Sequence, residues 1–208
     1  MMTGYILAGG QSVRMGRDKA FLPVGSQTLI EIVIRRLRPC VDRLIVLGHA
    51  RNASRLRALP VDDVLTDVAP GCGPLMGIYT GLMHTNTPLN VFVSCDMPWL
   101  EPRVIDRLVD GWRERIDSVA GVHALEGIQP FPLVCHTNVC RRVGVLLDRG
   151  ERSLKSLLSH PCARLIAIEE PELRRSFTNI NTVADYAKLQ EDFSPLPQKM
   201  CDSKFSHP

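Results

Sequence analysis

"TGYILAGGQSVRMGRDKAFLPVGSQTLIE", residues 3–31, joins three kinds of sequence in an order typical of an open α/β fold. An apolar run at residues 5–7 predicts a buried strand, and the apolar spacing of residues 28–37 predicts an amphipathic helix. The loop between them is rich in glycine and carries Arg14 and Lys19. Ligands of open α/β sheets bind beyond the carboxyl ends of the strands, and glycine amides and cations favour anions. This loop is therefore a candidate anion site.

Composition predicts a single domain without a nucleic-acid or membrane partner. The 208 residues are 45% hydrophobic and 23% charged, as in a globular protein with its own core. A net charge of +3 and 5% aromatic residues give neither a broad positive field nor a base-stacking surface. No apolar run approaches the ~20 residues of a membrane span. The seven cysteines lack zinc-type spacing and are expected to be reduced thiols, which favours the cytoplasm.

Short apolar runs alternate with amphipathic stretches along most of the chain. Strands are expected at 3–7, 43–47, 61–65, 90–95, 118–122, 132–136 and 164–168. Helices are expected at 28–37, 53–59, 75–85 and 102–115, between the later strands, and after Thr182 as N-cap with Asp185 three residues on. The alternation predicts an α/β fold, a three-layer α/β/α sandwich with a mainly parallel, mixed sheet.

Residues 1–191 are expected to form one domain. From Asp192 onward, "DFSPLPQKMCDSKFSHP" loses apolar periodicity and is rich in polar residues and proline. Residues 192–208 are therefore predicted to be a poorly ordered tail.

Three segments whose residues could bind a ligand or take part in catalysis follow predicted strands: "LAGGQSVRMGRDK", "TDVAPGCGPLMG" and "SCDMP". Each has a simple structural interpretation, because a glycine turn with solvated cations, an Asx turn at Asp67 and a turn capped by Asp96 are all common. Neither phosphate-loop pattern, Gly-x-x-x-x-Gly-Lys-Ser/Thr or Gly-x-Gly-x-x-Gly, is present. Their joint occurrence at three strand ends favours an anion site in which Asp96 holds a divalent cation.

Four motifs in order resemble those of the molybdenum cofactor guanylyltransferases, within the wider nucleotidyltransferase family of Rossmann-like fold. They are "LAGGQSVRMGRDKAFLPVGSQTL", "DVAPGCGPLMGI", "SCDMPWL" and "FTNINTVADY". The resemblance covers Tyr5 to about Leu189. The form "LAGG", with "RMG" and "DK" at the matching spacing, is closer to the guanylyl than to the cytidylyl branch.

The resemblance implies transfer of GMP from GTP to the terminal phosphate of Mo-molybdopterin, with Mg²⁺ as cofactor. It implies a GTP site made by Leu7, Ala8, Gly9, Gly10, Arg14, Lys19, Asp67 and Asp96. Within that set it implies catalytic roles for Arg14, Lys19 and Asp96, and metal binding by Asp96. It implies a molybdopterin site at Gly73, Gly77, Asn179 and Asn181. Other molybdenum cofactor biosynthesis proteins and recipient molybdoenzymes are implied as further partners.

Two alternatives remain open at this point. The same loop occurs in sibling enzymes, so a molybdopterin cytidylyltransferase or a sugar-phosphate nucleotidyltransferase is the first alternative. The second is a nucleotide-binding partner without transferase activity, which the presence of both Lys19 and Asp96 disfavours.

Overall fold

A mixed sheet forms the centre of the protein in the computed structural model, which describes residues 1–9, 18–66, 71–113, 119–124, 127–161 and 163–193. The strands are β1 (Met2–Leu7), β2 (Pro23–Val24), β3 (Gln27–Thr28), β4 (Arg43–Gly48), β5 (Asp63–Thr66), β6 (Leu89–Ser94), β7 (Val119–Ala124), β8 (Gly127–His136) and β9 (Ala163–Ala167). The α-helices are α1 (Leu29–Leu37), α2 (Ala53–Leu56), α3 (Pro74–His84), α4 (Pro102–Arg113), α5 (Val139–Asp148), α6 (Lys155–Leu158) and α7 (Val183–Phe193). Short 3-10 helices occupy Lys19–Phe21, Arg38–Cys40 and Pro171–Phe177.

The large sheet has the strand order β5-β4-β1-β6-β8-β7-β9 within the described residues. Strands β5, β4, β1 and β6 pair in parallel, and β8 runs antiparallel to both of its neighbours. Leu7 lies opposite Leu47 on one side and Ser94 on the other. The carboxyl ends of β1, β4 and β6 are therefore level, and the loops that follow them share one edge of the sheet.

Alternate side chains of the strands pack into two apolar layers. Ile6 of β1 belongs to a buried cluster with residues of α1 and α4, whereas its neighbour Tyr5 belongs to a cluster with residues of α3, α5 and α6. This alternation is the period of two that a strand buried on both faces requires. The expected three-layer α/β/α sandwich and mainly parallel sheet are thus confirmed.

The expected helix between the strands near 118–122 and 132–136 is wrong. Strands β7 and β8 pair antiparallel, and only residues 125–126 separate them along the chain. Strand β8 begins at Gly127, five residues earlier than expected, because its first half alternates between half-buried and exposed positions. This first half of β8 therefore has no apolar run of the kind that predicted a strand at residues 132–136.

A third apolar cluster joins α7 to the two-stranded hairpin β2–β3, which was not predicted. Leu189 of α7 is fully buried with Val24 and Trp99 in this cluster. The predicted cap of α7 is confirmed, since the Thr182 hydroxyl accepts from the Asp185 amide at 3.1 Å. The helix continues to Phe193, two residues beyond the expected domain limit at 191. Residues 194–208 lie outside the described part of the chain.

None of the helices in the described segments is both long and apolar enough to cross a membrane.

Candidate active site

Lys19 begins a short 3-10 helix at the carboxyl edge of the sheet. Asp18 caps that helix, because its Oδ1 accepts a hydrogen bond from the Ala20 amide at 3.2 Å. Ala20 is fully buried in the apolar layer that contains α1 and α4, so its side chain anchors the 3-10 helix to that layer. The cap and the anchor fix the backbone that carries the Lys19 side chain.

Asp96 follows β6 and meets Lys19. The Lys19 Nζ donates to Asp96 Oδ2 at 2.6 Å, and each side chain is only 15% exposed. The Asp96 carbonyl also accepts from the Ile180 amide at 3.0 Å, which ties the segment before α7 to the end of β6. A charge pair with this little exposure is screened less by water than a surface ion pair.

Asn181 completes a contact between distant parts of the chain. The Lys19 Nζ donates to its Oδ1 at 3.0 Å, across a separation of 162 residues. Asn181 is held in turn by Asp185, whose Oδ2 accepts from the Asn181 amide at 2.9 Å. This backbone hydrogen bond is the largest of the effects that lower the pKa of Asp185. Three residues singled out from the sequence, Lys19, Asp96 and Asn181, are therefore in contact.

The donor atoms at this edge fit a hard divalent cation bound together with phosphates. Oδ1 of Asp96 and Oδ1 of Asn179 are both buried and have no hydrogen-bond partner among the described residues. A buried carboxylate oxygen without a donor carries a desolvation cost that a cation would offset. The described residues hold no cluster of three or more His, Cys, Asp or Glu that could bind a metal alone. A cation here would need further oxygen ligands from its substrate, as Mg²⁺ does at many phosphate sites.

The thiol beside Asp96 is not a nucleophile. Burial raises the pKa of Cys95 far above its ordinary value, and the adjacent Asp96 carboxylate raises it further. A thiol of this kind stays protonated at neutral pH, and only the thiolate attacks. Cys95 is therefore a core residue of the strand end.

The backbone of Leu7 and Ala8 is largely engaged within the sheet. The Leu7 carbonyl accepts from the Cys95 amide at 3.1 Å, and the Ala8 amide donates to the Leu47 carbonyl at 2.6 Å. Gly9 directly precedes residues 10–17. Gly10, Arg14 and Asp67, which were also expected to bind GTP, lie outside the described residues.

Gly73 and Gly77 lie at the start of α3, where the described contacts do not join them to Lys19 or Asp96. Gly73 has φ +78°, and a Cβ atom built on it would lie 2.7 Å from the Arg152 carbonyl oxygen. That same carbonyl accepts from the Leu75 amide at 3.3 Å. Gly73 therefore allows a close approach between the first turn of α3 and the segment before α6.

Two polar residues of this edge were given no role by the sequence reasoning: Asp18, which entered only as part of the "DK" motif, and Asn52. The buried Asn52 donates to Asp18 Oδ2 at 2.9 Å and to the Ala8 carbonyl at 3.1 Å. The only sequence signal at Asn52 is an asparagine before a short helix, which predicts an N-cap. Its side chain makes no capping hydrogen bond to α2.

The sequence matches a protein-family model and a curated relative over most of its length. The MobA-like NTP transferase domain family matches residues 4–165. The molybdenum cofactor guanylyltransferase of Serratia proteamaculans is 34% identical over 197 residues, covering 92% of this chain and 95% of that protein.

Solved structures show that the fold is shared more widely. The molybdopterin-guanine dinucleotide biosynthesis protein A of Archaeoglobus fulgidus superposes with a TM-score of 0.75 at 21% identity, covering 91% of this chain and 97% of that one. Rv0371C of Mycobacterium tuberculosis, solved as a complex with manganese, superposes with a TM-score of 0.65 at 21% identity, covering 91% and 98%. At these identities the structures establish the fold alone. The family match and the Serratia relative, each spanning most of the chain, establish that this protein belongs to the family of MobA-like NTP transferase domains.

Proposed function

We propose that this protein transfers GMP from GTP to the terminal phosphate of Mo-molybdopterin, forming a molybdopterin guanine dinucleotide and releasing pyrophosphate. The observation that carries the proposal is the contact of one ammonium group, Lys19 Nζ, with both Asp96 and Asn181. This contact joins Lys19, which follows the glycine-rich stretch in sequence, to the acid after β6 and to the segment before α7. The printed names of the curated relatives support the choice of guanine nucleotide and pterin acceptor.

The main obstacle to this reaction is electrostatic, because both reactants are polyanions. Two like charges ~4 Å apart repel by about 4 kcal/mol at an effective dielectric constant of 20. Lys19, held at the edge of the sheet with little exposure, would offset part of that repulsion as a fixed positive charge. We assign the same role to Arg14, and we assign contacts with the nucleotide to Gly9, Gly10 and Asp67.

A divalent cation, which we propose to be Mg²⁺, would neutralise the triphosphate and the leaving pyrophosphate. Asp96 is the residue that would hold it, through the oxygen that lacks a donor among the described residues. The manganese complex of the mycobacterial protein supports a divalent ion in a protein of this fold. Among the described residues, the charged ligand that the chain would contribute is the Asp96 carboxylate.

No protein nucleophile is required, because the acceptor phosphate is already ionised. The work of the chain is to align two phosphates and to stabilise charge during transfer. Lys19 donates hydrogen bonds to both Asn181 and Asp96. An acceptor bound through Asn179 and Asn181 would therefore lie beside a triphosphate bound at Lys19. We also assign Gly73 and Gly77, at the start of α3, to the acceptor side.

The test is pyrophosphate release with each of GTP, CTP, ATP and UTP, in the presence of Mg²⁺ and with or without Mo-molybdopterin. Release only with GTP and acceptor together supports the proposal. Equal use of CTP would identify the cytidylyl sibling, and release with a sugar phosphate in place of the pterin would identify a sugar-phosphate enzyme. Tight GTP binding without any release would identify the non-catalytic alternative.

A further inference from the structure

Asn52 connects the two ends of the segment that runs from Ala8 to Asp18. One hydrogen of its Nδ2 group is donated to the Ala8 carbonyl at 3.1 Å, before Gly9 and Gly10, and the other to Asp18 Oδ2 at 2.9 Å, after Arg14 and Arg17. Its Oδ1 accepts from the His49 amide at 3.0 Å, which fixes the side chain to the end of β4. The residue is 2% exposed, so these hydrogen bonds are shielded from water.

The chemistry of this position is specific to an amide side chain. Two acceptors and one donor surround Asn52, and an amide supplies two donors and one acceptor from adjacent atoms. An aspartate would keep the acceptor, lose both donors and place a second carboxylate against Asp18. The space for the amide comes from Gly48, where a Cβ atom would lie 2.7 Å from Asn52 Oδ1.

We infer that Asn52 is a positioning residue that holds the ends of the glycine-rich segment together and, through Asp18, sets the place of Lys19. Asp18 uses its two oxygens for two purposes. Oδ2 accepts from Asn52, and Oδ1 caps the 3-10 helix whose first residue is Lys19. Loss of the amide releases the Ala8 carbonyl and the Asp18 carboxylate at once. The link itself is a property of the fold, and its effect on GTP rests on the function proposed above.

The experiment compares Asn52→Ala with Asn90→Ala as a matched control. Asn90 is also an asparagine with a fully buried side chain, but it bonds to Thr85 and Thr137 at the amino-terminal end of β6. Trypsin has targets at Arg14, Arg17 and Lys19 within or beside the segment. Cleavage of the folded protein at these sites is followed by mass spectrometry. Each variant is digested at the same number of degrees below its own melting temperature. GTP affinity is measured separately, by calorimetry with Mg²⁺ present.

We expect Asn52→Ala to be cut at these sites about 10-fold faster than wild type and to bind GTP about 10-fold more weakly. Asn90→Ala should lose stability while keeping both the wild-type cleavage rate and the wild-type affinity. Cleavage of Asn52→Ala no faster than that of Asn90→Ala would overturn the inference. Faster cleavage with unchanged GTP affinity would uphold the link and count against the proposed nucleotide role of the segment.

Discussion

The ammonium group of Lys19 lies 2.6 Å from Oδ2 of Asp96, so a metal ion bound to the other oxygen of this carboxylate would lie close to a protein cation. Two cations close to one acid repel each other, and at a site with 15% exposure that repulsion is only partly screened. In the proposed reaction a triphosphate would reduce this repulsion, because it would offer Lys19 a second anionic partner. If Asp96 holds the metal and Lys19 the triphosphate, as we propose, this contact would couple metal binding to nucleotide binding.

Lys19→Met should affect the two ligands in opposite directions. Without nucleotide, the variant should bind Mn²⁺ about 10-fold more tightly than wild type, because the competing charge is gone. With Mg²⁺ present, its GTP affinity should fall, because a charge on the triphosphate side is lost. Electron paramagnetic resonance titration measures the first effect and calorimetry the second. Lys188→Met, at an exposed position of α7, is the control. Weaker Mn²⁺ binding by Lys19→Met would show that the two groups do not compete.

Asp96→Asn should reduce the initial rate of transfer by about 10²-fold or more, as for loss of one preorganised electrostatic group. Mg²⁺ prefers charged oxygen ligands, so high Mg²⁺ should restore part of the rate. Folding should persist, because Val91, Phe92 and Val93 keep their buried contacts. The measurement is initial rate against Mg²⁺ concentration, with circular dichroism as the folding control. A folded variant with a near-normal rate at low Mg²⁺ would leave Asp96 as a turn residue.

Gly73→Ala should destabilise the fold more than Gly150→Ala. Both glycines have positive φ, at +78° and +83°, so alanine is strained at each. At Gly150 a Cβ atom meets nothing within 4 Å, whereas at Gly73 it meets the Arg152 carbonyl at 2.7 Å. The free energy of unfolding should fall by about 1 kcal/mol at Gly150 and about 2–3 kcal/mol at Gly73. Urea denaturation measures both, and equal losses would show that the close approach to Arg152 is not a constraint.

Residues 194–208 should be dispensable, whereas the last six residues of α7 should not. A chain that ends at Phe193 is expected to keep its melting temperature within a few degrees, because "SPLPQKMCDSKFSHP" has no apolar periodicity. A chain that ends at Ala187 loses the fully buried Leu189 and the ion pair of Asp192 with Arg175. It should lose about 2–5 kcal/mol of stability from the leucine alone. Thermal melts of both truncated chains measure these effects. A large fall in the melting temperature of the chain that ends at Phe193 would mean that residues beyond it pack on the domain.

The strand ends could be predicted from sequence because local signals and topology agree there. Residues 91–93 form an uninterrupted apolar run, which is typical of a strand buried on both faces, and parallel pairing places the residues that follow such strands at one edge. That reasoning predicted, from the sequence alone, that Lys19 and Asp96 lie at the same edge of the sheet. The motif resemblance added Asn181, which lies 162 residues from Lys19 along the chain.

The rest depended on contacts that local sequence does not encode. The helix expected before residues 132–136 was wrong because the first half of β8 is only partly buried and has no apolar run. The hairpin β2–β3 has two residues in each strand, too few to show a period. Asn52 has the sequence context of a helix cap, and its role is visible only once β4 places it beside Ala8 and Asp18.

The most direct test of the proposed reaction follows the phosphorus atoms of GTP. The protein is incubated with Mo-molybdopterin, Mg²⁺ and GTP labelled in either the α or the γ phosphate, and the products are separated. Transfer of GMP predicts that the α label appears in a guanine dinucleotide of the pterin and the γ label in pyrophosphate, with Asp96→Asn forming little of either. A γ label in the pterin product, or no labelled pterin product from a protein that binds GTP, would contradict the account.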